Sequence, residues 1–161
     1  MTTVLKEGQK APSFSLPAST GKTISLDELK GKKVVLYFYP KDNTPGCTKE
    51  ACNFRDNIGA LQKEGVVVLG ISLDSLSSHD KFVSKYSLPF PLLSDTDAKV
   101  SNAYGSYGEK SLYGRKFMGL YRMTFLIDEA GKIARMWPKV KPDGHALEVL
   151  QAVKELKQAA A

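Results

Sequence analysis

The spacing of apolar residues changes along this chain, and each change marks a different element. Lys33 to Tyr39 (KVVLYFY) and Val66 to Leu73 (VVVLGISL) are near-continuous apolar runs rich in β-branched and aromatic residues, the pattern of strands covered on both faces. Pro40 ends the first of them. Between the two, Ala51, Phe54, Ile58 and Leu61 recur at intervals of three and four. That period predicts one amphipathic helix over Cys47 to Glu64, stopped by Gly65. Upstream, Ser25 stands three residues before Glu28 and reads as a capping box for a short helix over Leu26 to Lys30. Downstream, Ser78 caps a helix carrying Phe82, Val83 and Tyr86, which closes before Leu88-Pro89-Phe90-Pro91. Leu92 to Ser94 reads as a short strand and Ala98 to Tyr104 as a helix. Glu109 to Leu120, rich in glycine and basic residues, reads as an irregular loop. Tyr121 to Ile127 and Ile133 to Trp137 flank the turn Asp128-Glu129-Ala130-Gly131 and predict a hairpin. From Gly144 onward Ala146, Leu147, Leu150, Val153 and Leu156 line one face of a C-terminal helix. The order β-α-β-α-β-α-β-β-α predicts a layered α/β fold with a mixed central sheet, as a single domain over residues 1–161.

Composition narrows the class. Of 161 residues, 42% are hydrophobic and 25% charged, near the average for a globular protein. Met1 to Lys10 shows no secretory pattern. The longest apolar runs, Val34 to Tyr39 and Val66 to Ile71, are far too short to cross a bilayer. A cytoplasmic protein without a membrane partner is expected. The net charge of +6 raises the question of nucleic acid. Acids such as Asp27, Glu28, Asp56, Asp95, Asp97 and Glu148 interrupt the lysines, and no nucleic-acid-binding signature occurs. A solvated basic surface is the simpler reading, with no nucleic-acid partner.

The chemistry rests on two cysteines, Cys47 and Cys52. In a cytoplasmic protein a disulfide between them points to catalysis or redox sensing rather than to a structural bond. Cys47 follows a strand end and a loop of turn formers, in FYPKDNTPGCTKEACNFR, and opens the next helix. An ordinary cysteine of pKa about 8.5 is only about 3% thiolate at pH 7. Free N–H groups and the positive end of the helix dipole favour the anion. With an arginine added, the reactive fraction rises about thirtyfold. Cys52 comes five positions later. In an intact helix that places the two Cα atoms about 8.6 Å apart, while a disulfide tolerates less than about 7 Å. The bond therefore requires the first helical turns to unwind. A structural staple, a zinc site and a dithiol exchanger stay open at this point. The staple would restrict the unfolded chain by only about 2 kcal/mol. Zinc would need His79 and His145, which are distant and unpaired in spacing. An exchanger ordinarily carries C-x-x-C, and here the spacing is C-x-x-x-x-C.

Pro40-x-x-x-Thr44-x-x-Cys47 matches the pattern P-x-x-x-T-x-x-C, within the longer run YPKDNTPGCTKEAC. With GISLDSLSSHDKFVSKYSLPFPLLSD and GEKSLYGRKFMGLYRMTFLIDEAGKI, the chain from about Lys6 to Val153 resembles the peroxiredoxins, in their peroxiredoxin Q (bacterioferritin comigratory protein) branch. The resemblance implies a thioredoxin-like fold and a peroxidase acting on hydrogen peroxide and organic hydroperoxides. It makes Cys47 the peroxidatic cysteine, Cys52 the resolving one, and Thr44 the hydroxyl beside the sulfur. Pro40 becomes the ring that shields the sulfur from water, and Arg122 the guanidinium over it. Met123 departs from the small hydroxyl residue often found after the arginine. The resemblance further implies a sulfenic acid resolved by Cys52, re-reduction by thioredoxin, a monomer, and no metal, haem or flavin. Two other classes are a protein thiol–disulfide exchanger, separable by asking whether the dithiol form consumes peroxide, and a redox-sensing or chaperone module without turnover.

Overall fold

The computed structural model describes residues 5–160 of the chain; the first four residues of the Met1–Lys10 segment lie outside them. A short hairpin, β1 (Ser15–Pro17) and β2 (Thr23–Ser25), leads through a 3₁₀ turn at Leu26–Leu29 into β3 (Lys33–Phe38). There follow α1 (Pro45–Asp56), α2 (Ile58–Lys63), β4 (Val66–Ser72), α3 (Leu76–Tyr86), β5 (Leu92–Ser94) and α4 (Lys99–Ala103). The hairpin β6 (Tyr107–Leu112) and β7 (Arg115–Leu120), then β8 (Met123–Ile127), β9 (Ile133–Trp137) and α5 (His145–Ala160), complete the chain. The central sheet runs β5-β4-β3-β8-β9, with β3, β4 and β5 parallel and β8 and β9 antiparallel. It is the mixed sheet that the apolar runs predict.

β3 lies in the middle and is buried on both faces. Val35 and Tyr37 join Ala51, Phe54, Phe82, Val149 and Val153, so α1, α3 and α5 share one side of the sheet. Val34, Leu36 and Phe38 join Phe14, Leu16, Tyr104, Phe125 and Ile127 on the other. Each such side chain contributes about 1.5–3 kcal/mol by burial, which makes the strand a rigid base for the loop that leaves its C-terminal end. The β8–β9 turn forms as expected: Asp128 accepts from Gly131 N–H, and Gly131 takes φ +83°, a conformation open to glycine.

Several elements depart from the periodicity. Ser25 is extended and its hydroxyl caps nothing; the element it precedes is the 3₁₀ turn. The third helix starts at Leu76, because Ser75 is its cap and accepts from Ser78 N–H at 3.2 Å. The expected helix over Cys47 to Glu64 is two helices. Asn57 leaves helical geometry (φ −114°, ψ 8°) and its side-chain amide donates to Asn53 C=O at 2.8 Å, so a side chain takes over a main-chain acceptor and breaks the run. Glu109 to Leu120 is not irregular: most of it pairs as the β6–β7 hairpin, through a two-residue turn with Tyr113 at φ +52° and Gly114 at +77°. Most of its residues face water, so no apolar alternation marks it. Leu147 is exposed and Val149 takes its place in the core. Among the described residues, no helix is long and apolar enough to cross a membrane.

Candidate active site

β3 delivers the chain to the C-terminal edge of the sheet, and Tyr39 N–H extends its ladder to Ile71 C=O. The loop then turns at Asn43, which holds φ +60°, and α1 begins with Pro45 at its first position, where a missing N–H costs nothing. Cys47 therefore lies in the first turn, beside the free N–H groups of a helix start. It is 1% exposed, whereas Cys52 is half-buried, and both are free thiols. Both sit on one continuous helix.

Arg122, just ahead of β8, reaches across to α1. Its Nη2 donates to Cys47 Sγ at 3.3 Å and its Nη1 to Glu50 Oε1 at 2.7 Å. A Cβ on Gly46 would stand 3.1 Å from that Nη2, so the approach of the guanidinium favours a residue without a side chain there. Burial works against the Arg122 cation, yet Cys47 and Glu50 outweigh it and raise its pKa. Lys110 lies close enough that burial, and then the Arg122 charge, lower its pKa while Cys47 works in the opposite direction.

Glu50 escaped the reading of the sequence. It is fully buried, and burial pushes its pKa up to about 7 although Arg122 pulls the other way. Its Oε2 has no hydrogen-bond partner, which favours the protonated acid. The signal was present: Cys47, Glu50, Ala51 and Phe54 share the buried face of α1, and a lone carboxylate on an apolar stripe marks a partner across the helix.

Thr44 and Pro40 lie in the loop between β3 and α1, both half-buried. Thr44 holds the cap position of α1, but its hydroxyl donates to Lys41 C=O at 2.8 Å rather than to the helix or the sulfur. Arg122 is thus the expected site residue joined directly to Cys47, while Thr44 and Pro40 belong to the loop that leads into its helix.

That loop is tied from behind. Asp42 accepts from Tyr39 Oη at 2.6 Å and Ser78 Oγ at 2.8 Å, and lies 2.7 Å from His79 Nδ1. Its N–H donates to Asp74 at 2.8 Å. Asp42, Asp74 and His79 bring their ligand-type atoms within 4.8 Å of one another. These atoms are already engaged by each other and by neighbouring hydroxyls. On the other flank, α1 meets α5. Asn53 Oδ1 accepts from Ala146 N–H at 2.7 Å, Lys49 pairs with Asp143 at 2.8 Å, and the rings of Phe54 and Trp137 pack on His145.

A buried sulfur at a helix start, with a guanidinium donor on it, suits attack on a small electrophile that can enter, and stabilisation of the charge that leaves. Comparisons with known proteins point the same way. Residues 7–136 match the AhpC/TSA family. The chain is 60% identical over 146 residues to a putative peroxiredoxin bcp of Coxiella burnetii, covering 91% of this chain and 97% of that one. It is 45% identical over 151 residues to peroxiredoxin Bcp of Bacillus subtilis, covering 94% and 96%. Among solved structures, Xanthomonas campestris peroxiredoxin Q superposes with a TM-score of 0.87 at 39% identity, over 92% of this chain and 97% of that one. A mutant of Xylella fastidiosa PrxQ gives 0.89 at 36%, over 99% of each.

Proposed function

This chain belongs to the AhpC/TSA family and is a peroxiredoxin, an enzyme that reduces peroxides with a thiol, and from that premise we propose that Cys47 is the attacking sulfur and Cys52 its resolving partner. The observation that carries the assignment is the 3.3 Å contact between Arg122 Nη2 and Cys47 Sγ at the start of α1. The Cys47 thiolate attacks the terminal oxygen of a hydroperoxide. The O–O bond breaks, the OH stays on sulfur as a sulfenic acid, and the leaving oxygen takes the electron pair and then a proton. Arg122, with Thr44 once its hydroxyl turns from Lys41, stabilises the charge that grows on that oxygen. Pro40 screens the sulfur from water. Cys52 then condenses with the sulfenic acid, releasing water and forming the Cys47–Cys52 disulfide, after the start of α1 unwinds. A dithiol protein such as thioredoxin returns both thiols and leaves as a disulfide.

Hydrogen peroxide and organic hydroperoxides are the substrates of this reading. The whole chain acts as one domain and as a monomer, in the cytoplasm, where two free thiols are the resting state. The burial of Cys47 argues against a protein disulfide exchanger, since a partner protein's disulfide is far larger than a peroxide and a 1% exposed sulfur offers it no approach. The test is a pair of variants in a peroxide assay coupled to thioredoxin. Cys47→Ser should abolish turnover, and Cys52→Ser should give one oxidation per chain and then stall until a small thiol is added. Equal residual turnover in the two would overturn the division of roles.

A further inference from the structure

The loop that carries Pro40 and Thr44 takes its shape from a residue outside the peroxidatic site. His79, in the first turn of α3, is completely buried. Its Nε2 lies 2.9 Å from Leu93 C=O. A carbonyl only accepts, so Nε2 carries a proton. Its Nδ1 lies 2.7 Å from Asp42 Oδ2, and one proton fills that line as well. Whichever atom holds it, the 2.7 Å contact is a short buried hydrogen bond. Asp42 belongs to the loop, two residues after Pro40 and two before Thr44. Tyr39 Oη and Ser78 Oγ complete its hydrogen bonds, and its main-chain N–H is held by Asp74. The next residue, Asn43, sits at φ +60°, with its side-chain oxygen accepting from Tyr86 Oη at 3.2 Å. Asparagine tolerates that region, and the Tyr86 bond holds its side chain in place.

We propose that His79 is a positioning residue for the peroxide step, locking the Pro40–Thr44 loop through Asp42 and so fixing where the Pro40 ring, and the Thr44 hydroxyl once it turns from Lys41, meet a peroxide at Cys47. The role rests on the reading of Cys47 as the attacking sulfur. No hydrogen bond joins His79 to the sulfur or to Arg122; it reaches the loop through Asp42, with Tyr39 Oη 3.5 Å from the same Nδ1. Its loss therefore separates two reactions of the same thiol. Alkylation of Cys47 by iodoacetamide needs only that this small reagent enter the buried site and meet the thiolate held by α1 and Arg122. Cleavage of an O–O bond also needs donors aligned on the leaving oxygen, and a displacement of such groups by about 1 Å can cost as much as a hundredfold.

The experiment compares the wild type with His79→Gln, whose amide nitrogen cannot meet Leu93 C=O and Asp42 together as two opposed ring nitrogens do. The rate constant of Cys47 with hydrogen peroxide and its alkylation rate with iodoacetamide are measured at one pH. The peroxide rate is expected to fall about tenfold or more while alkylation stays within about twofold. Parallel falls, or no change in either, would overturn the role. If His79→Gln does not fold, Ser78→Ala decides on the same criterion, since it removes one of the bonds to Asp42 from a half-buried position; a smaller loss confined to the peroxide rate supports the role. Mass spectrometry of the wild type comes first. A Cys47 thiol that survives peroxide would overturn the reading of the site itself, an outcome distinct from parallel falls in the variant.

Discussion

The chain arrives at Cys47 and leaves it under different constraints. On the near side Asp42 is 6% exposed, with three side-chain partners and a fourth bond from its main chain. On the far side α1 meets α5 through apolar packing of Ala51 and Phe54 and one part-buried bond, from Ala146 N–H to Asn53, and Lys49 makes an ion pair, largely in solvent, with Asp143 just ahead of α5. An exposed pair of that kind contributes about 0–1 kcal/mol. A buried hydrogen-bonded cluster is much harder to open, because removing one partner strands the others without hydrogen bonds. The difference follows the chemistry. The loop before Cys47 must hold its donors in place whenever a peroxide arrives. On the proposed role of Cys52, the helix after Cys47 must part in every cycle, or the two sulfurs cannot come within bonding distance.

Arg122 bridges the two constraints, and its loss should have the largest effect. Arg122→Ala removes the donor on the sulfur and the charge that favours the thiolate. The peroxide rate should fall about 10²–10³-fold, and iodoacetamide alkylation should fall with it, unlike in His79→Gln. Arg122→Lys should recover part of both, since an ammonium supplies charge but no planar fork of donors. An alkylation rate that Arg122→Ala leaves intact would remove the guanidinium from the activation of Cys47.

Next in size is the pH dependence set by Glu50. Its folded pKa of about 7 lies above the ordinary 4.5. From pH 4.5 to 7 the unfolded chain has released this proton and the folded chain has kept it. Stability therefore declines as pH rises through that window, by about 3 kcal/mol in all, and levels off above pH 7. In Glu50→Gln this decline should vanish from the stability curve measured by denaturant titration at each pH. A curve of unchanged slope would show that Glu50 is ionised in the fold throughout. The decline marks α1, the mobile side, as the one that carries a titrating group within its buried face.

The oxidised protein tests the comparison directly. In a verified Cys47–Cys52 disulfide form, amide exchange should accelerate from about Cys47 to Phe54. Protection should persist at the Asp42 N–H and in β3 and β4. Trp137 offers a second probe: it is the sole tryptophan, and it packs on His145, whose ring also packs on Phe54 of α1. Its fluorescence should shift on oxidation. Equal loss of protection at Asp42 and along α1 would erase the distinction between the two sides.

Much of this was legible in the residues. The apolar runs of β3 and β4 and the three- and four-residue spacing of Ala51 and Phe54 placed Cys47 at a helix start, because burial on two faces or one leaves a clear period. Cys47 and Arg122 were expected together, through resemblance rather than spacing, and the 3.3 Å contact joins them. The β6–β7 hairpin was not legible, since its exposed strands carry no burial signal. Glu50 and His79 stayed hidden for a related reason. A polar residue is recognisable as buried only once its partner is known, and Arg122 and Asp42 lie 72 and 37 positions away in the chain.

The smallest effect expected is at Asn53, and it bears on the mobile side alone. Its Oδ1 takes a main-chain N–H in the first turn of α5 at 2.7 Å, the service that a capping residue usually performs for its own helix. Here it comes from α1, so the cap exists only while α1 is wound at Asn53. Asn53→Ala removes a bond that the wound form has and the unwound form lacks. At about 1 kcal/mol for such a cap, the balance shifts towards unwinding about fivefold. The step that needs unwinding should gain, and the step that needs the intact first turn should change little. After a pulse of one equivalent of hydrogen peroxide, disulfide formation followed by acid quench and mass spectrometry should be a few times faster than in the wild type. The rate of sulfenic acid formation should stay within about twofold. With excess peroxide, less Cys47 should reach the sulfinic acid, because Cys52 captures the sulfenic acid sooner. An unchanged closing rate would mean that α1 unwinds ahead of Asn53 and stays docked on α5 through it, confining the mobile side to the single turn between Cys47 and Cys52.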